Sequence, residues 1–307
     1  MTYSISDISI IITCYKEGNL IYRAVESLKN QSIQGFEVVI VNDCSPDIQT
    51  NQVCVELSDS TDYVVHFCKQ NGGLSGARNT GYEIMNGKIA MPLDADDTLP
   101  IDAVEKVLET FNKYPEAEMV FGDYNLVDIT TDRFTKINCQ SLALNEELSF
   151  NKLAENWILM GQSPCKKSLW KKVGGYSSKF KNTTQDVDIW RRSAVKGFKG
   201  YYTNSIIYNW FRSEDGMNNN VKESDYVLLR IDSLPFYDKF NTAYGAKMRD
   251  YIYRYFSSRL MAKELNDFLR IEKQYFSFWQ RLKAKGLYFK VLYKLFRVIK
   301  NQFHFNL

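Results

Sequence analysis

Four apolar runs alternate with helical patterns in the first hundred residues and limit the folds open to this chain. The runs cover residues 8–13, 36–41, 63–68 and 88–93. A segment long enough for a helix joins each run to the next, and such connections favour parallel strands with right-handed crossovers. The pattern predicts an α/β fold with a Rossmann-like, mostly parallel central sheet flanked by helices.

The fourth run leads directly into Asp94-Ala95-Asp96-Asp97-Thr98, which places three carboxylates within four residues. Like charges this close repel, so one carboxyl group stays protonated unless a cation lies among them. Mg²⁺ and Mn²⁺ take oxygen ligands, and open α/β sheets bind ligands at the carboxyl ends of their strands. We therefore predict a divalent metal, Mn²⁺ or Mg²⁺, on Asp96. The alternative is a polar turn that starts a helix near Ile101.

The loops after the other strands carry groups that suit a nucleoside diphosphate. Tyr15 can stack on a base, and Asp43 can accept a hydrogen bond from a base N–H. The glycine-rich stretch 71–81 offers backbone N–H groups at a helix N-terminus, where phosphate oxygens bind. Arg78 adds a charged donor for the same anion, and Asp94 is expected near a ribose hydroxyl. Structural interpretations stay open, because Tyr15 also suits a loop aromatic and Asp43 an Asx turn.

Four motifs in this order resemble the family 2 glycosyltransferases, whose nucleotide-binding fold is known as GT-A. The resemblance covers residues 7–215 and rests on Thr13-Cys14-Tyr15-Lys16-Glu17, Val41-Asn42-Asp43-Cys44-Ser45, the stretch 71–79, and Leu93-Asp94-Ala95-Asp96-Asp97. It implies a nucleotide-diphosphate sugar donor and a divalent metal. The glycines of the third motif fit neither the dinucleotide fingerprint nor a P-loop.

The resemblance also implies a role for each motif residue. Tyr15 and Asp43 are expected at the nucleobase, Arg78 near the diphosphate, Asp94 at the ribose and Asp96 on the metal. Thr13, Glu17 and Asn71 belong to the same motifs and are expected in the nucleotide-sugar site.

The second half of the resemblance concerns the acceptor side and covers residues 162–192. In the family, a Gly-Gly-Tyr or Gly-Gly-Phe segment precedes a Glu-Asp pair that opens a helix, and the aspartate is the catalytic base. Asp186 takes that position, whereas Gln185 stands where glutamate is usual. The alternatives are a first-turn acid without a catalytic role, and Asp188 as the base. Arg212, in an aromatic segment, is expected to close over donor or acceptor, or to be a solvated surface arginine.

The implied reaction is an inverting displacement at the sugar anomeric carbon, with a glycan or a lipid-linked glycan as acceptor. UDP is favoured by the resemblance, since Asp43 suits uracil or thymine equally. Two other functions compete with this one. The chain can be a degenerate nucleotide-sugar-binding or scaffold protein, which Gln185 favours, or a phosphatase of the DxDxT type, which would phosphorylate the first aspartate.

The last part of the chain has a different charge from the rest. Residues 279–307 contain seven Lys and Arg and no acid, whereas the whole chain has a net charge of +3. Apolar residues recur there at helical spacing, which predicts a basic amphipathic helix at an anionic membrane surface. A helix packed on the catalytic domain is the alternative. No nucleic-acid recognition motif accompanies the basic residues, so we expect no nucleic-acid partner.

The sequence predicts a cytoplasmic enzyme, which lies on the cytoplasmic face of the membrane if the basic helix binds there. The six cysteines are scattered without a CxxC pair, which indicates a reducing compartment, and no apolar run reaches the roughly 20 residues of a membrane span. We expect a catalytic domain over 1–215, with a nucleotide-binding half (1–98) and an acceptor half (99–215). A helical C-terminal region over 216–307 follows.

Overall fold

The computed structural model describes residues 2–131, 133–181, 183–212, 222–259 and 261–276. The chain divides into two compact units, 1–229 and 230–307, which are considered separately below. The first unit contains every residue that the sequence predicts for the site.

The first half of the first unit is the predicted α/β alternation. Its elements are β1 (Ile8–Cys14), α1 (Leu20–Lys29), β2 (Glu37–Asn42), α2 (Ile48–Ser58), β3 (Val64–Phe67), α3 (Gly73–Ile84) and β4 (Ile89–Asp94). The strands pair in the order β3-β2-β1-β4, and all three pairings are parallel. The carboxyl ends of these four strands therefore lie along one edge of the sheet.

Burial explains why these segments form a layered core. Every residue of β1 is buried, as expected for a central strand covered on both faces. On α1, Ile21, Ala24, Val25 and Leu28 recur at helical spacing and are all buried against the sheet. The helix α3 approaches β1 closely, because a Cβ at Gly81 would lie 2.3 Å from the Cγ2 of Ile11.

The second half of the unit extends the same sheet with mixed strand directions. Its elements are α4 (Ala103–Lys113), β5 (Met119–Asp128), β6 (Arg133–Ile137), β7 (Ala143–Leu144), β8 (Glu147–Leu148), α5 (Phe150–Glu155), β9 (Cys165–Lys166), α6 (Lys167–Val173), α7 (Gln185–Lys196) and β10 (Gly200–Arg212). The full order is β3-β2-β1-β4-β9-β5-β10-β8-β7, with β6 paired to β5. The predicted parallel sheet is thus confined to β1–β4 and the β5–β10 pair, and the remaining pairings are antiparallel.

Strand β10 has 13 residues and is the longest strand in the described part of the chain. It runs parallel to β5 with register shifts between Tyr202 and Tyr208. Beyond these irregularities it reaches the loop after β4, where Thr98 and Asn209 form an isolated antiparallel bridge. The strand therefore brings a distant part of the chain to the predicted metal turn.

The helices after β10 are α8 (Glu223–Asp232), α9 (Leu234–Phe240), α10 (Thr242–Ser258) and α11 (Ala262–Ile271). In the second unit, the buried Arg249 pairs with Asp238 and Glu272 at 2.6 and 2.8 Å. No helix in the described part of the chain is long and apolar enough to cross a membrane. The predicted basic helix of residues 279–307 lies outside the described residues.

Candidate active site

The polar ends of three parallel strands lie side by side at one edge of the sheet. Thr13, near the end of β1, is the Cα partner of Val41 in β2 and of Asp94 in β4. Because parallel strands in this register end together, the loops that begin at Tyr15, Asp43 and Ala95 meet there. This edge is the predicted nucleotide site.

Asp43 joins the second loop to the glycine-rich stretch. Its Oδ1 accepts a 2.9 Å hydrogen bond from the Gly72 N–H, and the Asn71 amide donates to the Asp43 carbonyl at 3.2 Å. Asp43 is 4% exposed, and burial raises the pKa of its carboxyl group despite the backbone donors. The side chain thus orders the loop that precedes α3.

Arg78, on the second turn of α3, is buried beside Asp94. Its Nη2 donates to Asp94 Oδ1 at 2.7 Å, while its side chain is 1% exposed. Burial opposes the charge, but the carboxylates of Asp94 and Asp186 hold the pKa of Arg78 above its ordinary value. Its Nε and Nη1 have no hydrogen-bond partner among the described residues, which leaves donors for a bound anion.

Asp96, two residues after Asp94, lies close to the carboxylates of Asp94 and Glu17. Burial, with the charges of Asp94 and Glu17, raises the pKa of Asp96 to about 6. Burial also raises the pKa of Glu17, whose carboxylate accepts bonds from the Tyr15 and Lys16 N–H groups. A bound cation would reduce the repulsion between these carboxylates.

The residues of this site fit a divalent metal that is bound by protein and substrate together. In the described part of the chain they do not form a complete set of protein ligands. Among the described residues, no group of three or more His, Cys, Asp and Glu side chains is placed to hold a metal. Mg²⁺ sites commonly use one or two carboxylates together with substrate phosphates and water. Asp96 is the carboxylate that would hold a metal in a site of this kind.

The third carboxylate of the turn, Asp97, points toward β10. Its Oδ2 accepts a 2.7 Å bond from the Tyr208 hydroxyl and its Oδ1 a 2.7 Å bond from the Phe211 N–H. Burial and the charges of Asp96 and Asp94 raise the pKa of Asp97 well above its usual value. Asp97 therefore anchors the turn to β10. It does not cap α4, which begins at Ala103.

Asp186 reaches the same region from the acceptor half. It lies in the first turn of α7, as predicted, and its carboxylate makes no hydrogen bond or ion pair with the other described residues. The approach is secured by α3: Asn79 bonds both the N–H and the carbonyl of Tyr176, and the Ser75 hydroxyl bonds the Phe180 carbonyl. The segment leading to α7 is thus held against the helix that carries Arg78.

Asp188 and Gln185 are both buried, but their surroundings differ. Asp188 is 3% exposed and is paired with Arg192 one turn later, at 2.7 Å. Gln185 is 5% exposed, and its Oε1 has no hydrogen-bond partner among the described residues. Of the acids in the first turn of α7, Asp186 is the one whose carboxylate is half-exposed and unpaired within the described structure.

The remaining predicted residues are placed at different distances from this centre. Tyr15 is half-buried at the rim, and Thr13 is buried with an unpartnered Oγ1 among the described residues. Arg212 is exposed at the end of β10, beside its register partner Asp128. The structure does not bring Arg212 into contact with the carboxylates of the turn.

Sequence reasoning missed several side chains that shape the site. Gln162 donates to Asp94 Oδ2 at 2.5 Å, Tyr208 bonds both Asp97 and the Asp94 N–H, and Arg23 donates to the Asp96 carbonyl. The Arg23 guanidinium also lies 3.9 Å from the centre of the Phe211 ring. No local pattern signals these contacts, since each partner is distant in sequence from the turn.

Comparison with known proteins identifies the family. Residues 9–173, more than half of the chain, match the family described as Glycosyl transferase family 2, and the chain belongs to that family. Membership of this family argues against the DxDxT phosphatase. Asp186 and Arg212 lie beyond the matched residues.

Relatives of known description are considerably longer than the matched segment. The chain is 32% identical over 222 residues to the chondroitin synthase of Pasteurella multocida, covering 71% of this chain and 22% of that protein. It is also 32% identical over 117 residues to the glycosyltransferase GlyA of Streptococcus pneumoniae, covering 38% and 16%. The chain thus spans at most about a third of the length of these curated relatives.

Solved structures establish the fold. Residues 1–349 of TarS from S. aureus superpose with a TM-score of 0.64 at 14% identity, covering 86% of this chain and 80% of that one. The TarS complex with UDP-GlcNAc gives 0.63 at 15% identity. This likeness confirms the predicted GT-A fold.

Proposed function

We propose that this glycosyltransferase moves a sugar from a UDP-sugar to a hydroxyl group of a glycan or lipid-linked glycan, with inversion at the anomeric carbon. The observation that carries the proposal is the position of Arg78. Its buried guanidinium pairs with Asp94 of the donor half. The charge of Asp186, from the acceptor half, contributes to the raised pKa of Arg78. A donor diphosphate at Arg78 would therefore lie within the same site as the proposed base.

The choice of UDP rests on relatives and on Asp43. The TarS structures hold UDP and UDP-GlcNAc, and the relatives include chondroitin and hyaluronan synthases. Asp43 at the rim can accept a hydrogen bond from the N3–H of uracil. Tyr15 would stack on the same base, and Asp94 would bind the ribose, with Thr13, Glu17 and Asn71 lining the pocket.

Asp186 would act as the general base. It would take the proton of the acceptor hydroxyl while the acceptor oxygen bonds to the anomeric carbon. The bond from that carbon to the β-phosphate oxygen would break, and the electron pair would leave with UDP. A single displacement of this kind inverts the anomeric centre. Arg78 would stabilise the charge on the leaving diphosphate. The N–H groups of Gly72, Gly73 and Ser75 at the start of α3 already donate to Asp43, Asn71 and Lys181, so the predicted phosphate contact with these groups is not part of the proposal.

Mn²⁺ or Mg²⁺ on Asp96 would neutralise the leaving diphosphate as a Lewis acid. The support for the metal is the raised pKa of Asp96 and the charge that surrounds it. Membrane attachment stays a prediction, because the basic segment that motivates it lies outside the described residues.

The function is tested by following UDP release from UDP-GlcNAc, UDP-glucose and UDP-galactose with Mn²⁺ and a panel of glycan acceptors. We expect one donor to react and Asp186→Asn to lower kcat by about a hundredfold or more with UDP binding retained. The product should have the anomeric configuration opposite to that of the donor, as read by NMR. Unchanged transfer in Asp186→Asn would remove Asp186 as the base, and retention of configuration would exclude the single displacement.

A further inference from the structure

The two consecutive residues Gly161 and Gln162 contact opposite halves of the site. Gln162 donates to Asp94 Oδ2 at 2.5 Å, on the donor side. Gly161 lies against Asp186, and its carbonyl accepts a 3.0 Å hydrogen bond from the Trp190 indole on the next turn of α7. The two residues form a short bridge between the proposed ribose-binding carboxylate and the proposed base.

Gln162 restricts the orientation of Asp94. Arg78 occupies Oδ1 of this carboxylate and Gln162 occupies Oδ2, so both oxygens are held by donors from different parts of the chain. Each oxygen keeps a lone pair for a hydroxyl group of the ligand. Without Gln162, the carboxylate would be free to rotate about a single remaining bond to Arg78.

Gly161 restricts the position of Asp186 through close packing. A Cβ at Gly161 would lie 2.1 Å from Asp186 Oδ2 and 2.7 Å from its Cβ. Rotation of the carboxylate alone does not relieve the second contact, so a side chain at this position must change the distance between the Gly161 backbone and the first turn of α7. The Trp190 bond to the Gly161 carbonyl holds the same turn in place.

We propose that Gly161 and Gln162 are positioning residues for the transfer reaction, with Gln162 setting ribose recognition through Asp94 and Gly161 setting the base Asp186. This inference rests on the roles given above to Asp94 and Asp186. It predicts that substitutions at two adjacent positions affect different steps, because one supports ground-state binding of the donor and the other supports proton removal.

The first test compares UDP with 2′-deoxy-UDP and 3′-deoxy-UDP by calorimetry in the presence of Mn²⁺. Gln162→Met keeps the length of the side chain without its donor, and we expect it to weaken UDP binding about tenfold. The loss should shrink to within about twofold for the deoxynucleotide that lacks the hydroxyl bound by Asp94. Gln34→Met is the matched control, since Gln34 donates to the carbonyls of Leu28 and Gln31 outside the site.

The second test measures UDP release from UDP-GlcNAc. Gly161→Ala should lower kcat about a hundredfold and leave Mn²⁺-dependent UDP binding within about twofold. If Gly161→Ala does not fold, Trp190→Phe removes the indole donor and should lower kcat with UDP binding retained. Thermal unfolding of each variant reports whether the fold is intact.

The outcomes separate the inference from the function on which it depends. If the unaltered protein does not bind UDP, the proposed function fails. If it binds UDP and discriminates against a deoxynucleotide, but Gln162→Met behaves like the unaltered protein, the role of Gln162 is wrong. Equal losses of UDP binding and kcat in both Gly161→Ala and Trp190→Phe would overturn the role of Gly161.

Discussion

The Tyr208 hydroxyl donates a 2.7 Å hydrogen bond to the buried carboxylate of Asp97, although 111 residues separate them in the chain. The same oxygen accepts the Asp94 N–H at 3.1 Å. One tyrosine therefore contacts both ends of the turn that presents Asp96. The turn is held in shape by a strand that belongs to the other half of the domain.

Tyr208→Phe removes this hydroxyl and keeps the ring. We expect it to raise the Mn²⁺ concentration needed for half-maximal activity several-fold, and to destabilise the protein by about 1–3 kcal/mol because Asp97 loses a donor in a buried site. Metal titrations of the transfer rate and thermal unfolding measure the two effects.

Tyr202→Phe is the matched control for this prediction. Tyr202 lies on the same strand and donates to the buried Asp123 at 2.7 Å, away from the turn. It should lose a similar amount of stability with an unchanged metal requirement. Equal metal requirements in the two variants would contradict the assignment of Tyr208 to the turn.

Arg78→Lys tests the buried guanidinium. A lysine keeps the charge but loses the planar set of donors, so Asp94 and the leaving diphosphate cannot be bound together in the same geometry. We expect kcat/KM to fall by about a hundredfold. Arg249→Lys changes a buried, doubly paired arginine of the second unit and controls for the general cost of such a substitution. Similar losses of activity in both variants would show that Arg78 has no specific role.

The pH dependence of metal binding follows from Asp96. Its pKa of about 6 exceeds the ordinary value of 3.8 for an aspartate, so between these two values the folded metal-free protein holds a proton that the unfolded chain has already released. Stability without metal therefore falls as the pH rises between these two values. Metal requires the carboxylate, so below pH 6 the Mn²⁺ affinity should fall by about tenfold per pH unit. Calorimetry at pH 5, 6 and 7 measures this slope, and an equal slope in Asp96→Asn would assign it to another group.

The sequence was sufficient to predict the strands β1–β4 because each is a continuous apolar run with a polar end. The positions of Asp43, Arg78 and Asp94 at one edge followed from the parallel arrangement. The extent of β10 and the insertion of β9 between β4 and β5 were not predictable, since β9 has two residues and its pairing depends on distant partners.

The contacts that shape the site could not be predicted from the sequence either, because their partners are distant along the chain. Gln162 and Asp94 are 68 residues apart, and Asn79 and Tyr176 are 97 apart. Nothing in the local sequence of Gln162 distinguishes it from a loop glutamine. The sequence predicts that the third carboxylate of the turn, Asp97, belongs to a metal motif or a helix start. In the structure it accepts hydrogen bonds from Tyr208 and Phe211 of β10.

The most direct test of the account is a calorimetric titration with UDP, GDP, CDP and dTDP, each with and without Mn²⁺. We predict that UDP binds in a Mn²⁺-dependent manner, that Asp96→Ala abolishes the metal-dependent part, and that Asp186→Asn leaves binding intact. Binding that is independent of metal, or unchanged in Asp96→Ala, would contradict the metal site. The absence of binding for all four diphosphates would contradict the proposed donor site as a whole.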